Sequence, residues 1–280
     1  MQRSGLLLFL AVFLLAQANV FSPSGSASAE ENRKPCCKSV PADTAQLHKN
    51  AERLYSQFKP KEAAGELLKI LQIDPRDFEA ITKLSRAYLD IGDMIPESSP
   101  DWREKRLKEY RKAEEYARQA IALDPNSTWG YFYVAASLGD IALVSPTSTQ
   151  IDLAADIRSS LEKAIALDPK NGFAYHIYGI WHRKMAEIGK TSRLVASVLY
   201  GRSPPSGNLE KSIEYLRKAV ALNPDVIVSR LELAKSYIAA ENWPMARSSL
   251  IPIRQLPIRF SDDAKHKQHA EQILEQIKDN

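Results

Sequence analysis

Cysteine is nearly absent from this chain. Only Cys36 and Cys37 occur in 280 residues, side by side and ahead of every stretch with helical periodicity, so the folded part cannot depend on disulfides. Adjacent cysteines are too constrained to pair comfortably with one another, which leaves cross-linking of two chains, weak binding of a soft metal, or free thiols. Glycine is sparse at 11 residues, and neither a GxSxG elbow nor a phosphate-cradling glycine loop is present. Histidine is limited to His48, His176, His182, His266 and His269, none in an HExxH or His-x-x-x-His arrangement that sets two ligands on one helix face. His266 and His269 lie three apart on a lysine-rich terminal stretch with no third ligand, which reads as a solvated helix face before a metal site. No catalytic constellation, metal or cofactor is expected, and the chain reads as a non-enzyme. A hydrolase with its site among the insertions described below is the alternative.

An excess of charge of one sign is also missing. The formal net charge is +4 with 26% charged residues, and a stretch such as "WREKRLKEYRKAEEYARQ" (102–119) mixes both signs at helical spacing. A nucleic-acid binder concentrates Lys and Arg on one face, so no nucleic acid is expected as a partner.

An apolar run of leader type covers Leu6 to Ala16, behind Arg3 and ahead of the small-residue stretch "SPSGSASA". That order is the order of a secretory signal, with cleavage expected after Ala29 and a flexible tail over 30–43. Gln17 and Asn19 stop the run short of the roughly 20 residues that span a bilayer. The expected location is therefore periplasmic or secreted. The rival reading is an uncleaved anchor, and only in that case is a membrane a partner.

What the rest of the chain has in quantity is repetition. "AIALDP" occurs at 120–125 and 164–169, with "LQIDP" at 71–75 and "AVALNP" at 219–224 as relatives. Each reads as a helix end, since Ala and Leu favour helix and proline cannot continue one. Counting back from each proline gives helix-pair units at 44–77, 78–127, 128–171, 172–226 and 227–260. Small residues recur where the two helices of a unit must approach closely, at Ala51, Ser85, Ala135, Gly179 and Ala234. The second helices carry Ala63, Ala113, Ile157, Ser212 and Ala246, then Leu67, Ala117, Leu161, Leu216 and Leu250, with Ile157 and Ser212 the weaker fits. This pattern resembles the tetratricopeptide repeat, an array of antiparallel helix pairs with a period of about 34 residues. The fold class expected is all-α, a solenoid of about five helix pairs, closed by a capping helix within 261–280. Three central units exceed the period by about 16, 10 and 21 residues, placed between their two helices.

Those insertions narrow the resemblance. "AIALDPKNGFAYHIYGIWHRKMAEIG" followed by "SVLYGRSPPSGNLEKSIEYLRKAVALNP" is similar to the regulator of microtubule dynamics family and its bacterial relatives, carried by Trp181, Leu199, Pro204, Pro205, Asn223 and Pro224 over roughly 78–260. The resemblance implies a divergent tetratricopeptide fold and a non-enzymatic protein that works through partners. Eukaryotic members associate with microtubules or organelle membranes, which the leader-like start of this chain does not match.

A solenoid of this kind presents its first helices on a concave face. The candidate peptide-binding groove there is Arg86, Trp129, Phe132, Phe173, His176, Arg183 and Lys235, with aromatic anchors to bury a protein or peptide partner and cations to fix its carboxylates. The plainer reading of the aromatics is packing between adjacent repeats.

Overall fold

The computed structural model describes residues 42–279. The expected leader, its cleavage site and Cys36 and Cys37 lie outside the described residues. Within them are twelve α-helices and one 3-10 turn: α1 (Ala42–Ser56), α2 (Pro60–Ile73), α3 (Phe78–Asp93), α4 (Trp102–Leu123), α5 (Thr128–Val144), α6 (Thr147–Leu167), α7 (Gly172–Glu187), α8 (Lys190–Tyr200), α9 (Leu209–Leu222), α10 (Ile227–Ala239), α11 (Trp243–Leu250), the 3-10 turn Ile251–Gln255, and α12 (Asp263–Gln276). The pairs are α1 with α2, α3 with α4, α5 with α6, α7 with α9 and α10 with α11.

The repeated hexamer ends one helix and starts the next. Asp74, Asp124 and Asp168 close α2, α4 and α6, and each carboxylate accepts the backbone N–H two residues on, across the proline, at 2.8–3.0 Å. Three residues after each aspartate stands the cap of the next helix: Asp77, Ser127 and Asn171 accept the N–H of Ala80, Gly130 and Ala174. Both orphaned helix ends are thus satisfied within a short turn, which holds successive helices at a fixed angle.

The small residues sit where close approach is needed. Ala51, Ser85, Ala135 and Ala234 are fully buried, and a methyl group on Gly179 would stand 2.5 Å from Leu216 Cγ and 3.0 Å from the Ser212 carbonyl. Ser212, a weak fit to an apolar pattern, is buried but partnered, its hydroxyl 2.9 Å from that of Ser236 on α10. The extra lengths are mostly helix: α4 and α6 run to 22 and 21 residues, and the third insertion folds as α8.

α8 stands apart. Only Ala196 on it is buried, Leu194, Val198 and Leu199 face outward, and a cavity of about 200 Å³ separates it from α6 and α7. Arg193 holds the following loop by donating to the carbonyls of Pro204 and Pro205 and of Ile188. Among the described residues no helix is long and apolar enough to cross a membrane.

Candidate functional site

The first helices α1, α3, α5, α7 and α10 line one side of the array, as the repeat frame requires, but that side is largely closed. Phe132, Phe173, His176 and Arg183 are buried, and Arg86, Trp129 and Lys235 are partly so. The seven residues separate into three groups.

Trp129, Phe132 and Phe173 form one aromatic cluster. Trp129 meets Phe132 edge to face with centroids 5.5 Å apart, and Phe173 lies 6.2 Å from Trp129 and 6.3 Å from Phe132. The cluster joins α5 to α7 and belongs to the main hydrophobic core. Such geometry is what packed aromatic rings prefer, and only Trp129 keeps appreciable exposure.

His176, Arg183 and Lys235 gather around a residue outside the expected set, Glu232 on α10. Its carboxylate is 1% exposed and takes Arg183 on one side and Lys235, at 2.6 Å, on the other. Burial alone would raise its pKa, but the two cations outweigh burial and hold it at about 2. His176 Nδ1 is 3.1 Å from the Ser229 hydroxyl, one turn before Glu232. Burial, only partly offset by Glu232, lowers the His176 pKa to about 4, so the ring is neutral at pH 7. Arg183 also reaches Glu187 at 3.3 Å. The cations expected to meet a partner's carboxylate thus meet one supplied by the chain itself.

Arg86 stands away from both groups. Its guanidinium lies over the Tyr55 ring at 4.5 Å and 3.7 Å from the Asp90 carboxylate. Asp90 is buried, and burial raises its pKa to about 8 against the opposing pull of Arg86, with Asp93 and Asp262 adding to the rise. Asp262 belongs to the far end of the chain, just after Phe260 and Ser261, which line a small cavity with Tyr55, Arg86 and Asp90. α12 then packs on α10 and α11, placing His266 and His269 within the electrostatic reach of His176, Glu232 and Lys235. The expected cap on the last unit is present, and the segment leading into it also reaches back to the beginning of the array.

The buried serine, histidine and glutamate do not form a Ser-His-carboxylate chain: His176 meets Ser229 through Nδ1, its Nε2 has no hydrogen-bond partner, and Glu232 is engaged by the two cations. Among the described residues no group of three or more His, Cys, Asp or Glu is placed to hold a metal ion.

The fold matches solved tetratricopeptide structures at low sequence identity. A thermophilic TPR protein of Thermus thermophilus aligns over 82% of this chain and 99% of its own with a TM-score of 0.59 at 16% identity. The pilF protein of Pseudomonas aeruginosa aligns over 84% and 91% with a TM-score of 0.51 at 14% identity. At the level of sequence, regulator of microtubule dynamics protein 1 of Mus musculus is 28% identical over 241 residues, 83% of this chain and 77% of its own length. The Homo sapiens protein of that name is 30% identical over 193 residues, 69% of this chain and 60% of its own. With the family model for regulator of microtubule dynamics proteins 1–3 matching residues 47–278, nearly all of the described array, the chain belongs to that family.

Proposed function

We propose that this protein is a non-catalytic scaffold exported to the cell envelope, which binds a protein or peptide partner through the first-helix face of its array. The observation that carries the reading is the array itself. Five helix pairs stack one on the next around two hydrophobic clusters, and solenoids of this type offer their first-helix side to partners. The relatives named as regulators of microtubule dynamics and the tetratricopeptide neighbours support a role in assembly. Trp129, Arg86 and Lys235 are the members of the candidate groove that retain exposure and would touch a partner first. Phe132 and Phe173 pack against Trp129, Glu232 holds Lys235, and Tyr55 and Asp90 hold Arg86.

The leader-like stretch ahead of the array supports export, and its apolar run supports the second reading, a membrane-anchored assembly factor with the run retained. Intact-mass measurement on protein from the native host separates the two: a chain beginning at Glu30 is the exported form, and one that keeps residues 1–29 is the anchored form. The scaffold reading is tested by cross-linked capture from the host envelope, comparing wild type with a Trp129→Ala, Lys235→Ala variant of unchanged helicity. Loss of one specific captured protein in the variant is the expected result. Equal capture by both proteins places binding elsewhere and removes the first-helix face from consideration.

A further inference from the structure

The fourth unit carries a helix that its repeat does not require. α7 pairs with α9, and among the described residues no other helix packs along α8. Ala196 is the only buried residue of α8, while Leu194, Val198 and Leu199 are exposed. The helix is held by Arg193, which donates to the carbonyls of Met185 and Ile188 before it and of Pro204 and Pro205 after it. Between α8 and the array lies the cavity of about 200 Å³, walled by Ile151 and Ile157 of α6, Trp181 of α7, and Val195 and Ala196 of α8. Protein interiors keep few voids larger than a water molecule, because the lining of a void lacks contacts on one side.

The lining sets the size and the chemistry of what fits. An engineered apolar cavity of about 150 Å³ takes up benzene, so this one has room for a somewhat larger molecule. Leu199 lines the cavity and is 61% exposed, which gives the opening an apolar edge. Gln150 near the start of α6 also lines it: its Nε2 donates to the Ser145 carbonyl at 3.0 Å, and its Oε1 is buried with no hydrogen-bond partner. A hydrocarbon would leave that acceptor without a donor, whereas a hydroxyl would satisfy it. Lys184 and Glu187 are the only charged lining residues, of opposite sign and 3.7 Å apart. Burial, and then the neighbouring Arg183, lowers the Lys184 pKa, which marks this wall as a poor solvent for charge. An ionised ligand would give up its hydration for a cation that already faces Glu187.

We propose that the cavity between α8 and the array binds a small neutral molecule, apolar in its body and bearing one hydroxyl that donates to Gln150 Oε1, with the body resting on Trp181 and Ile157. Such a site is mostly apolar with a single placed polar group, the usual make-up of a small-molecule pocket. The occupant supplies the contacts that α8 does not find within the repeat. The inference is independent of the scaffold reading, since none of Arg86, Trp129 and Lys235 lines this cavity.

The test titrates the full chain at neutral pH, by isothermal calorimetry, with three probes of similar size: para-propylphenol, propylbenzene and the anion para-propylbenzoate. The phenol is expected to bind saturably at one site per chain, and the other two about 10-fold more weakly or less. Ala154→Leu, which extends a side chain into the cavity, should abolish binding of the phenol. If that variant loses helicity, Ala196→Leu, which fills the cavity from the opposite wall, decides. Gln150→Leu should lower the affinity for the phenol to that for propylbenzene, and leave propylbenzene unaffected as the sign that the cavity is intact. Several results overturn the proposal: no saturable uptake of the phenol, its retention by the filled variant, or equal loss of both neutral probes in Gln150→Leu. Binding of propylbenzene as tight as that of the phenol removes the role of Gln150 and overturns it too. Binding of the benzoate as tight as that of the phenol makes the cavity an anion site governed by Lys184, which is equally fatal.

Discussion

Glu232 makes a quantitative test of how the inner face is held together. Its folded pKa of about 2 against an ordinary 4.5 is a difference of about 2.5 units, and at about 1.36 kcal/mol per unit the ionised carboxylate contributes about 3 kcal/mol to folding. Glu232→Gln keeps the shape, removes the charge, and leaves Arg183 and Lys235 facing each other without it. Loss of one partner of a buried pair costs about 3–5 kcal/mol, in accord with that figure. For a chain of this size about 3 kcal/mol corresponds to a fall in melting temperature of roughly 6–12 °C, read by circular dichroism at pH 7. The sign with pH is definite. The folded pKa is depressed, so the stabilisation is complete above the unfolded pKa of about 4.5 and is lost as pH falls toward 2. The gap between wild type and Glu232→Gln must therefore narrow between pH 5 and pH 3. Replacing the pair together, Glu232→Leu with Arg183→Met, should recover part of the loss, because no unpaired charge remains between those two positions. A deficit below about 1 kcal/mol at pH 7, or one that does not change with pH, would refute the account of the network, since either result means the carboxylate is not held ionised by its cations.

Two further outcomes follow from the same geometry. His176 is pushed by burial to a folded pKa of about 4 from 6.5, so the unfolded chain binds the proton first and stability falls as pH drops through that window, by about 3 kcal/mol in all; burial pushes His182 to about 4 as well, so His176→Gln should remove only part of the fall in melting temperature between pH 7 and pH 4, and an unaltered profile would show that this ring does not titrate there. Gly179→Ala forces a methyl group against Leu216 and the Ser212 carbonyl and should cost about 1–3 kcal/mol, whereas Gly65→Ala on α2, with open space around it, should stabilise by up to about 1 kcal/mol; thermal melts of the two variants moving in the same direction would contradict the packing described for α7 and α9.

The fold and the candidate site were legible to different degrees because they depend on contacts of different range. The helix-pair frame rests on local signals: a small residue at Ala51, Ser85, Ala135, Gly179 and Ala234 is needed wherever two neighbouring helices close, and the Asp-Pro turns satisfy both helix ends within a few residues. Each signal repeats at nearly the same place in its unit, so the frame can be read several times over. The inner face has no such redundancy. A partly apolar helix such as α10 gives no local sign that its carboxylate at Glu232 turns inward to meet Arg183, which comes from another unit. The periodicity placed Lys235 on that face and passed over Glu232, three residues before it. Phe260 carried a faint mark, an aromatic ring between Arg259 and two aspartates in a stretch without period, yet the small cavity it lines is shared with Tyr55 and Arg86, at the opposite end of the sequence. A repeat array is assembled by neighbours, so its sequence announces neighbours well. Closure of its inner face depends on residues from different repeats that meet only once, and these are the contacts that a periodic reading does not register. The same reasoning explains why the candidate aromatics proved so enclosed: Phe132 and Phe173 pack against each other between α5 and α7, and an inward position is a binding surface only while nothing else in the chain has taken it.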